Sequence, residues 1–272
     1  MKKYLSLISI ILVSILILSG CGTDPQLYYD EGESQIANSQ AESTTLAQST
    51  TVTLKDIPAF SGSPYIAIND NQPSFTSDDY TTNAFEKYAE LDYLGRCGVT
   101  YACVGVEIMP TEDRGSIGQV KPTGWVTAKY DFVDGKYLYN RCHLIGFQLT
   151  GENANTQNLI TGTRYMNTEG MLPFENMIAD YVKETENHVL YRVTPIFDGE
   201  NLVASGVQME AYSVEDNGEG ICFNVYCYNV QPGVEINYST GASNGPTEQT
   251  KTDAETETKT VTEVEHGNFN IK

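Results

Sequence analysis

Tyr137-Leu138-Tyr139-Asn140-Arg141-Cys142-His143-Leu144-Ile145-Gly146 is the stretch that decides how this chain folds. Its hydrophobic and aromatic start predicts a β-strand with a polar end. Side chains two residues apart on a strand share a face, so we expect Arg141 beside His143. A neutral imidazole can accept a proton from water, and a guanidinium can hold a phosphate through paired hydrogen bonds. The pair indicates phosphodiester chemistry; a packed histidine and a surface ion pair are the plainer alternatives.

A second strand and a helix follow this stretch. Residues 158–165, Asn-Leu-Ile-Thr-Gly-Thr-Arg-Tyr, predict a strand. Apolar residues then recur at helical spacing, which predicts a helix over about 169–185 with Pro173 in its first turn. Further strands are predicted at 65–68, 99–106, 189–196, 202–212 and 221–230. The predicted fold class is α+β, with a mixed or antiparallel sheet and the chemistry on a ββα unit.

Two side chains at the start of the predicted helix, Asn167 and Glu175, are candidate metal ligands. Mg²⁺ prefers oxygen ligands and keeps several waters, so one or two protein oxygens suffice. On a continuous α-helix these residues would lie about 80° apart around the axis and ~12 Å apart along it. We therefore expect Asn167 to bind the ion directly and Glu175 to reach it through water. A helix cap and a solvated helix charge are the alternatives.

Three further residues complete the candidate site. Asn158 is expected to position the loop backbone or a metal-bound water, unless it is a simple turn residue. Arg164 and Arg114 are expected to contact phosphate. The other two histidines, His188 and His266, are interpreted as incidental to the site.

These motifs together resemble the DNA/RNA non-specific endonuclease family, the ββα-metal nucleases, and within it the surface nucleases of Gram-positive bacteria related to the DNA-uptake nuclease of streptococci. The resemblance spans roughly 95–239, and its motifs lie at 140–144, 158–160, 164–167, 172–176, 191–195 and 229–233. The usual family motif is Asp-Arg-Gly-His, so Asn140 and Cys142 depart from it. Asn140 removes a negative charge near the base but keeps a hydrogen-bond acceptor. Cys142 is expected to point away from the face that carries His143.

The resemblance also implies a role for each candidate residue. His143 is the general base that activates water, and Arg141 contacts the phosphate. Asn167 is the direct ligand of one Mg²⁺ or Mn²⁺, Glu175 supports the hydrated ion, and Asn158 shapes the site. The family implies DNA, and possibly RNA, as substrate, with 5′-phosphate products and little base preference.

The start of the chain is typical of a bacterial lipoprotein signal. Lys2 and Lys3 precede an apolar run over 5–18, which is too short to span a bilayer comfortably. Cleavage before Cys21 would leave a thiol for lipid attachment. An uncleaved anchor is the alternative, and either places the body at the extracellular face of the cell membrane. The predicted domains are a signal peptide at 1–20, a disordered tether at 21–56, a nuclease domain at 57–239 and a disordered acidic tail at 240–272.

The charge of the chain limits how it can meet nucleic acid. The formal net charge is −20, and counting charged residues leaves roughly −14 on 57–239. Such acidity argues against a broad nucleic-acid surface, although a local basic groove and a divalent ion suffice for cleavage without sequence reading. One alternative is a lipid-anchored nucleic-acid-binding protein that cleaves weakly or not at all. Another is a lipoprotein that binds a small solute or cell-wall polymer, whose expected two similar α/β lobes are missing from the sequence.

Five cysteines follow Cys21, an odd number that leaves at least one unpaired in a monomer. Because there is no Cys-x-x-Cys pair, a structural zinc site is not expected. Cys222 and Cys227 lie on one predicted strand, on opposite faces and roughly 16 Å apart, too far to bridge each other. Cys97 could pair with Cys103 across a turn, or both could be buried free thiols.

Overall fold

The computed structural model describes residues 52–246. Its strands are β1 (Tyr65–Ala67), β2 (Phe85–Tyr88), β3 (Thr100–Val104), β4 (Tyr139–His143), β5 (Leu159–Thr163), β6 (Val189–Ile196), β7 (Gly206–Ser213), β8 (Cys222–Tyr228), β9 (Glu235–Ile236) and β10 (Ser243–Asn244). Its α-helices are α1 (Phe147–Thr150) and α2 (Leu172–Thr185), and a π-helical segment, Met166–Met171, leads directly into α2. Short 3-10 turns lie at 54–56, 69–71 and 106–108.

Six strands form a central sheet in the order β1-β8-β7-β6-β3-β2. Every neighbouring pair is antiparallel, and β6 and β7 pair along their full length. All eight residues of β6 are buried, because both faces of the sheet are covered. Helix α2 covers one face and places Ile178, Ala179 and Val182 in the main hydrophobic core. The strands predicted around 65–68, 99–106, 189–196, 202–212 and 221–230 are all present, with bounds that differ by a few residues.

The opposite face of the sheet is covered by the chain that precedes β1. Leu54, Ile57 and Phe60 pack against a cluster that contains Tyr226 and Tyr228. The amide of Val52 also donates to the side chain of a buried sheet residue, Gln208, at 3.1 Å. The folded segment therefore begins before the start proposed from the sequence, because the polar composition of 22–56 hides these few apolar anchors.

The end of the described segment is packed in the same way. Strand β10 pairs with β9, and the carbonyl of Gly241 accepts a hydrogen bond of 3.0 Å from the Tyr139 hydroxyl. Residues 240–246 are thus part of the fold, although the sequence assigned them to the tail.

The small hairpin of β4 and β5 stands beside the central sheet and is followed at once by the helical segment. Arg141 faces Thr161 and His143 faces Leu159 across this hairpin. The predicted α+β class, with a largely antiparallel sheet and a ββα unit at its chemical centre, is confirmed. The helix begins at Met166 instead of 169, and its first residues are π-helical.

The cysteine pairing considered from the sequence is wrong, because all five cysteines of the described segment are free thiols. The two thiols lie in different hydrophobic clusters: Cys97, before β3, is in the main core, whereas Cys103, on β3, packs with Tyr101 and Leu190. The Cys97 thiol donates to main-chain carbonyls of Thr156 and Leu159, each at 3.3 Å. The Cys103 thiol donates instead to the Thr81 carbonyl at 3.2 Å.

None of the helices within 52–246 is long and apolar enough to cross a membrane. The predicted signal peptide, Cys21, most of the tether, His266 and most of the acidic tail lie outside the described residues.

Candidate active site

The imidazole of His143 is buried at the end of β4 and is held at both nitrogen atoms. Its Nε2 atom lies 2.8 Å from the main-chain oxygen of Asn153. Because a carbonyl can only accept, Nε2 carries the proton and Nδ1 keeps a lone pair. Burial lowers the pKa of His143 to about 4, and the nearby charge of Arg114 acts in the same direction. At neutral pH the ring is therefore uncharged and able to accept a proton at Nδ1.

Arg114 is the side chain nearest to that free nitrogen. Its Nη2 lies 3.2 Å from Nδ1 of His143 and donates to it. The sequence identified Arg114 only as one of several phosphate contacts. Its position places a positive charge beside the imidazole of His143, and a guanidinium can hold a phosphate through paired hydrogen bonds.

Asn158 does not line the cleft, and the structure gives it a positioning role. Its side chain is fully buried. Its Oδ1 accepts from the amide of Ile145 at 2.9 Å, and its Nδ2 donates to the carbonyl of Ile145 at 3.0 Å. Its own carbonyl accepts from the amide of Leu144. Both polar ends of the amide are thus used to fix the loop that follows His143.

Asn167, the predicted metal ligand, lies on the π-helical segment. Such segments occur often at functional sites, because the wider turn redirects side chains. Its Nδ2 donates to Oδ1 of Asn140 at 3.3 Å, and its Oδ1 accepts from the thiol of Cys142 at 3.0 Å. Burial raises the pKa of that thiol well above its usual value, so the thiol stays protonated and acts as the donor. The two residues that depart from the family motif therefore both orient Asn167.

Glu175 is buried on the first turn of α2, in contact with the loop after β4. Burial raises the pKa of its carboxyl to about 8, although the charge of Arg114 and a hydrogen bond from the Gly146 main chain act to lower it. A Cβ at Gly146 would lie 2.8 Å from the carboxyl carbon, so a larger residue at this position would require the Glu175 carboxyl group to shift. The angle estimated from the sequence does not apply, because a π-helical turn separates Asn167 from Glu175.

One cleft of about 780 Å³ lies at this site. Its wall includes Arg114, Trp125, Tyr137, Asn140, Arg141, His143, Arg164, Asn167 and Glu175. Arg141 and His143 share the cleft, as strand alternation predicts. Three arginines against one buried carboxyl make the cleft locally basic within an acidic chain.

Arg141 and Arg164 differ in how they are held. The Arg141 Nε donates to the carbonyl of Val120, and its guanidinium lies 4.1 Å from the ring centre of Trp125. Arg164 forms an ion pair with Asp134 at 2.7 Å at the more exposed rim. Arg141 is therefore fixed against a ring, whereas Arg164 must exchange a carboxylate partner before it can bind phosphate.

The donor set suits a hydrated Mg²⁺ or Mn²⁺. Within 52–246 there is no group of three or more His, Cys, Asp and Glu side chains that could hold a metal ion. Asn167 and Glu175 instead both line a cleft large enough for water. Hard divalent ions that retain several waters are held in this way. A cation at this place would also lower the raised pKa of the buried Glu175 carboxyl.

Several features of the site escape sequence reasoning. The hydrogen bond from His143 to Asn153 uses a main-chain oxygen, which leaves no side-chain signature. The contacts of Asn140 and Cys142 with Asn167 depend on how the helix packs over the hairpin. Trp125 could have been identified from the sequence, because it is the only tryptophan in the chain and lies in a glycine-containing loop. His188 does not line the cleft and is paired with Glu215 at 2.6 Å.

The model of the DNA/RNA non-specific endonuclease family matches residues 76–215, which include every residue of the candidate site. The chain belongs to this family, and it is a nuclease.

Solved structures with the same fold are nucleases as well. NucA from Streptococcus agalactiae with magnesium ion bound has 24% identity and a TM-score of 0.61, over 71% of this chain and 92% of that one. The same protein with no metal bound aligns equally well. Sda1 nuclease with bound zinc ion has 22% identity and a TM-score of 0.56, over 68% and 97% of the two chains. These likenesses confirm the ββα-metal nuclease fold.

Proposed function

We propose that this protein is a lipid-anchored extracellular endonuclease that hydrolyses DNA, and RNA, without sequence preference, using one divalent metal ion and His143 as general base. The observation that carries the proposal is the orientation of the His143 ring. Its Nε2 is tied to the Asn153 carbonyl, and its lowered pKa leaves Nδ1 unprotonated at neutral pH. An uncharged, immobilised imidazole in a basic cleft is suited to take a proton from water.

Each residue around the cleft has a separate role in the proposed reaction. His143 Nδ1 accepts the proton of a water that attacks phosphorus, and Arg114 moves from that nitrogen to the phosphate as the substrate enters. Arg141, held against Trp125, offers a fixed charge to the same strand. Asn140 and Cys142 keep the Asn167 amide oriented, and Asn158 keeps the loop after His143 in place.

Asn167 would hold the metal ion, and Glu175 would stabilise its water shell. When bound, the ion supplies positive charge for the phosphorane and for the departing 3′ oxygen, which leaves a 5′ phosphate on the other product. The absence of a base-reading motif agrees with cleavage at any sequence.

Attachment to the membrane rests on the sequence alone. Cleavage before Cys21 and lipidation of its thiol would hold the enzyme outside the cell, with the lipid joined to the folded domain by the tether predicted at 21–56. Weak association with nucleic acid is tolerable in this setting, because a tethered enzyme acts on long polymers that present many sites.

A second candidate is a nucleic-acid-binding lipoprotein of the same fold that cleaves weakly. Asn140 in place of the usual aspartate and the net charge of −20 favour it. Measuring the cleavage rate distinguishes the nuclease from this second candidate, because a binding protein retains nucleic acid without cutting it.

The test uses the chain from residue 22 onward, which contains every described residue. It is incubated with supercoiled plasmid and with RNA in Mg²⁺, in Mn²⁺ and in EDTA, and the product ends are tested for direct ligation. We expect nicked and linear DNA carrying 5′ phosphates in either metal and none in EDTA. Stable binding without any cleavage by the folded protein would select the second candidate. Membrane attachment is tested separately, by detergent partitioning of the full chain and of its Cys21→Ser variant.

A further inference from the structure

Two aromatic rings on the cleft wall each carry a cation. The Arg141 guanidinium lies 4.1 Å from the ring centre of Trp125, and the Lys129 ammonium lies 4.4 Å from the ring centre of Tyr137. Trp125 and Tyr137 both line the cleft that contains His143. Each ring thus has a positive charge against it, and both rings line the same cleft as His143.

The two rings are accessible to a ligand in the cleft. Tyr137 is 47% exposed, which is unusual for an aromatic side chain that neighbours a buried site. Trp125 is partly exposed, and Arg141 lies against its ring. Both rings belong to the segment between the loop that holds Val120 and the start of β4, so the wall is connected directly to the strand that carries the base.

We propose that Trp125 and Tyr137 form a stacking platform for unpaired bases, which makes single-stranded nucleic acid the preferred substrate of this cleft. The inference rests on the proposed function, because it assumes that the scissile strand lies along this wall. Arg141 and Lys129 would contact the backbone phosphates on either side of the stacked bases. This combination of aromatic rings and cations is the usual means of binding single strands without reading their sequence.

The preference for single strands over duplexes follows from base pairing and stacking within the duplex. In a duplex the faces of each base are covered by its neighbours, so a ring on the protein can stack only on a base that has left the helix. An unpaired base in DNA or RNA offers its face at no such cost. The sugar is not part of the contact, so single-stranded DNA and RNA are both expected to bind.

The charge of the protein supports the same conclusion. A duplex nuclease gains much of its affinity from a broad positive surface, which a chain of net charge −20 does not offer. Stacking supplies affinity that does not depend on net charge. A narrow basic wall with two rings is therefore better matched to a single strand than to a wide duplex.

Trp125 makes the test direct, because it is the only tryptophan in the chain. The chain from residue 22 onward is titrated in EDTA, which prevents cleavage, and its tryptophan fluorescence is followed. The probes are a single-stranded oligonucleotide of DNA, the same sequence in RNA, its DNA duplex and an abasic strand of equal length. We expect both single strands to quench the fluorescence, and the duplex and the abasic strand to leave it nearly unchanged at the same phosphate concentration.

Binding of a labelled single strand is then compared among variants. Tyr137→Ala and Trp125→Leu should each weaken it by roughly tenfold, while Trp125→Phe, which keeps a ring, should weaken it less. Duplex binding should change by less than about twofold. Tyr93→Ala is the matched control, because Tyr93 is 80% exposed and bonds to Glu200, outside the cleft wall. Tyr137→Ala keeps the test valid should Trp125→Leu fail to fold.

Equal quenching by duplex and single strand, or equal loss of both affinities in the variants, would overturn the inference. Cleavage of plasmid in Mg²⁺ by the same preparation distinguishes this failure from failure of the proposed function. Cleavage without selective quenching would contradict the stacking platform and support the nuclease. Selective quenching without cleavage would support the platform and contradict the proposed catalysis.

Discussion

The Nδ1 atom of His143 lies 3.2 Å from Nη2 of Arg114, so the nitrogen assigned to accept a proton is covered by a guanidinium in the ligand-free protein. The opposite nitrogen is fixed on the Asn153 carbonyl. Burial lowers the pKa of the histidine, and the charge of the arginine acts in the same direction. In the proposed reaction the same arginine also provides the first contact for the substrate.

The pH profile should reveal this arrangement. The pKa of His143 is lowered to about 4, so kcat/KM should rise as pH increases through about 4 and be level near neutrality. Arg114→Gln removes a positive charge beside the ring and should move this rise to higher pH, towards the usual value of 6.5. Lys136→Gln, at an exposed ion pair, is the control and should leave the profile in place. If Arg114→Gln leaves the pH profile unchanged, the charge of Arg114 does not influence the pKa of His143.

Asn167→Ala should weaken binding of Mn²⁺ by about 100-fold or more and abolish cleavage at ordinary Mg²⁺, because the alanine offers no oxygen to the ion. Metal affinity is measured by calorimetry and folding by circular dichroism. Asn176→Ala, on the exposed side of the same helix, is the matched control and should bind metal normally. Normal Mn²⁺ affinity in a folded Asn167→Ala protein would remove this residue from the metal site.

Asn158→Ala should destabilise the protein by about 2 kcal/mol or more, because it leaves both the amide and the carbonyl of Ile145 without their partner in a buried loop. The measurement is urea unfolding in the absence of metal. Asn155→Ala, which removes one turn hydrogen bond to the Gln157 amide, should cost less. Full stability combined with lost activity in Asn158→Ala would instead favour a direct catalytic role.

Removal of residues 247–272 should leave folding and cleavage intact, because a segment rich in Thr, Glu and Lys with few apolar residues cannot supply a core. Removal from residue 240 onward should lower the melting temperature, because it deletes β10 and the Gly241 carbonyl that accepts from Tyr139. Thermal unfolding of the two truncated proteins distinguishes them. Identical melting temperatures would return the domain boundary to 239.

The sequence predicts the strand that carries the site, because the alternation of side chains between the two faces of a strand depends only on residues close together in the sequence. Arg141 and His143 are two residues apart, and any regular strand places them on one face. The second strand and the helix were likewise predicted from local patterns, and with the family motifs they define the ββα unit. The residues brought together by this unit are therefore predicted well.

Features that depend on packing are not predicted. The π-helical segment has the same apolar spacing as an α-helix, so the sequence gives the wrong angle between Asn167 and Glu175. The thiol of Cys142 was expected in packing only, yet it bonds to Asn167 because the helix crosses over that face of the hairpin. Leu54 was placed in a tether, because its burial depends on the distant β8.

Plasmid nicking in Mg²⁺ by His143→Gln, compared with the parent and with His188→Gln, tests whether His143 is the general base. His188 is a second buried histidine that lies outside the cleft wall. We predict that cleavage by His143→Gln falls at least about 100-fold, the usual contribution of a general base, while His188→Gln cleaves at close to the parent rate. Cleavage by folded His143→Gln at the parent rate would contradict the account, because the base would then have to lie elsewhere.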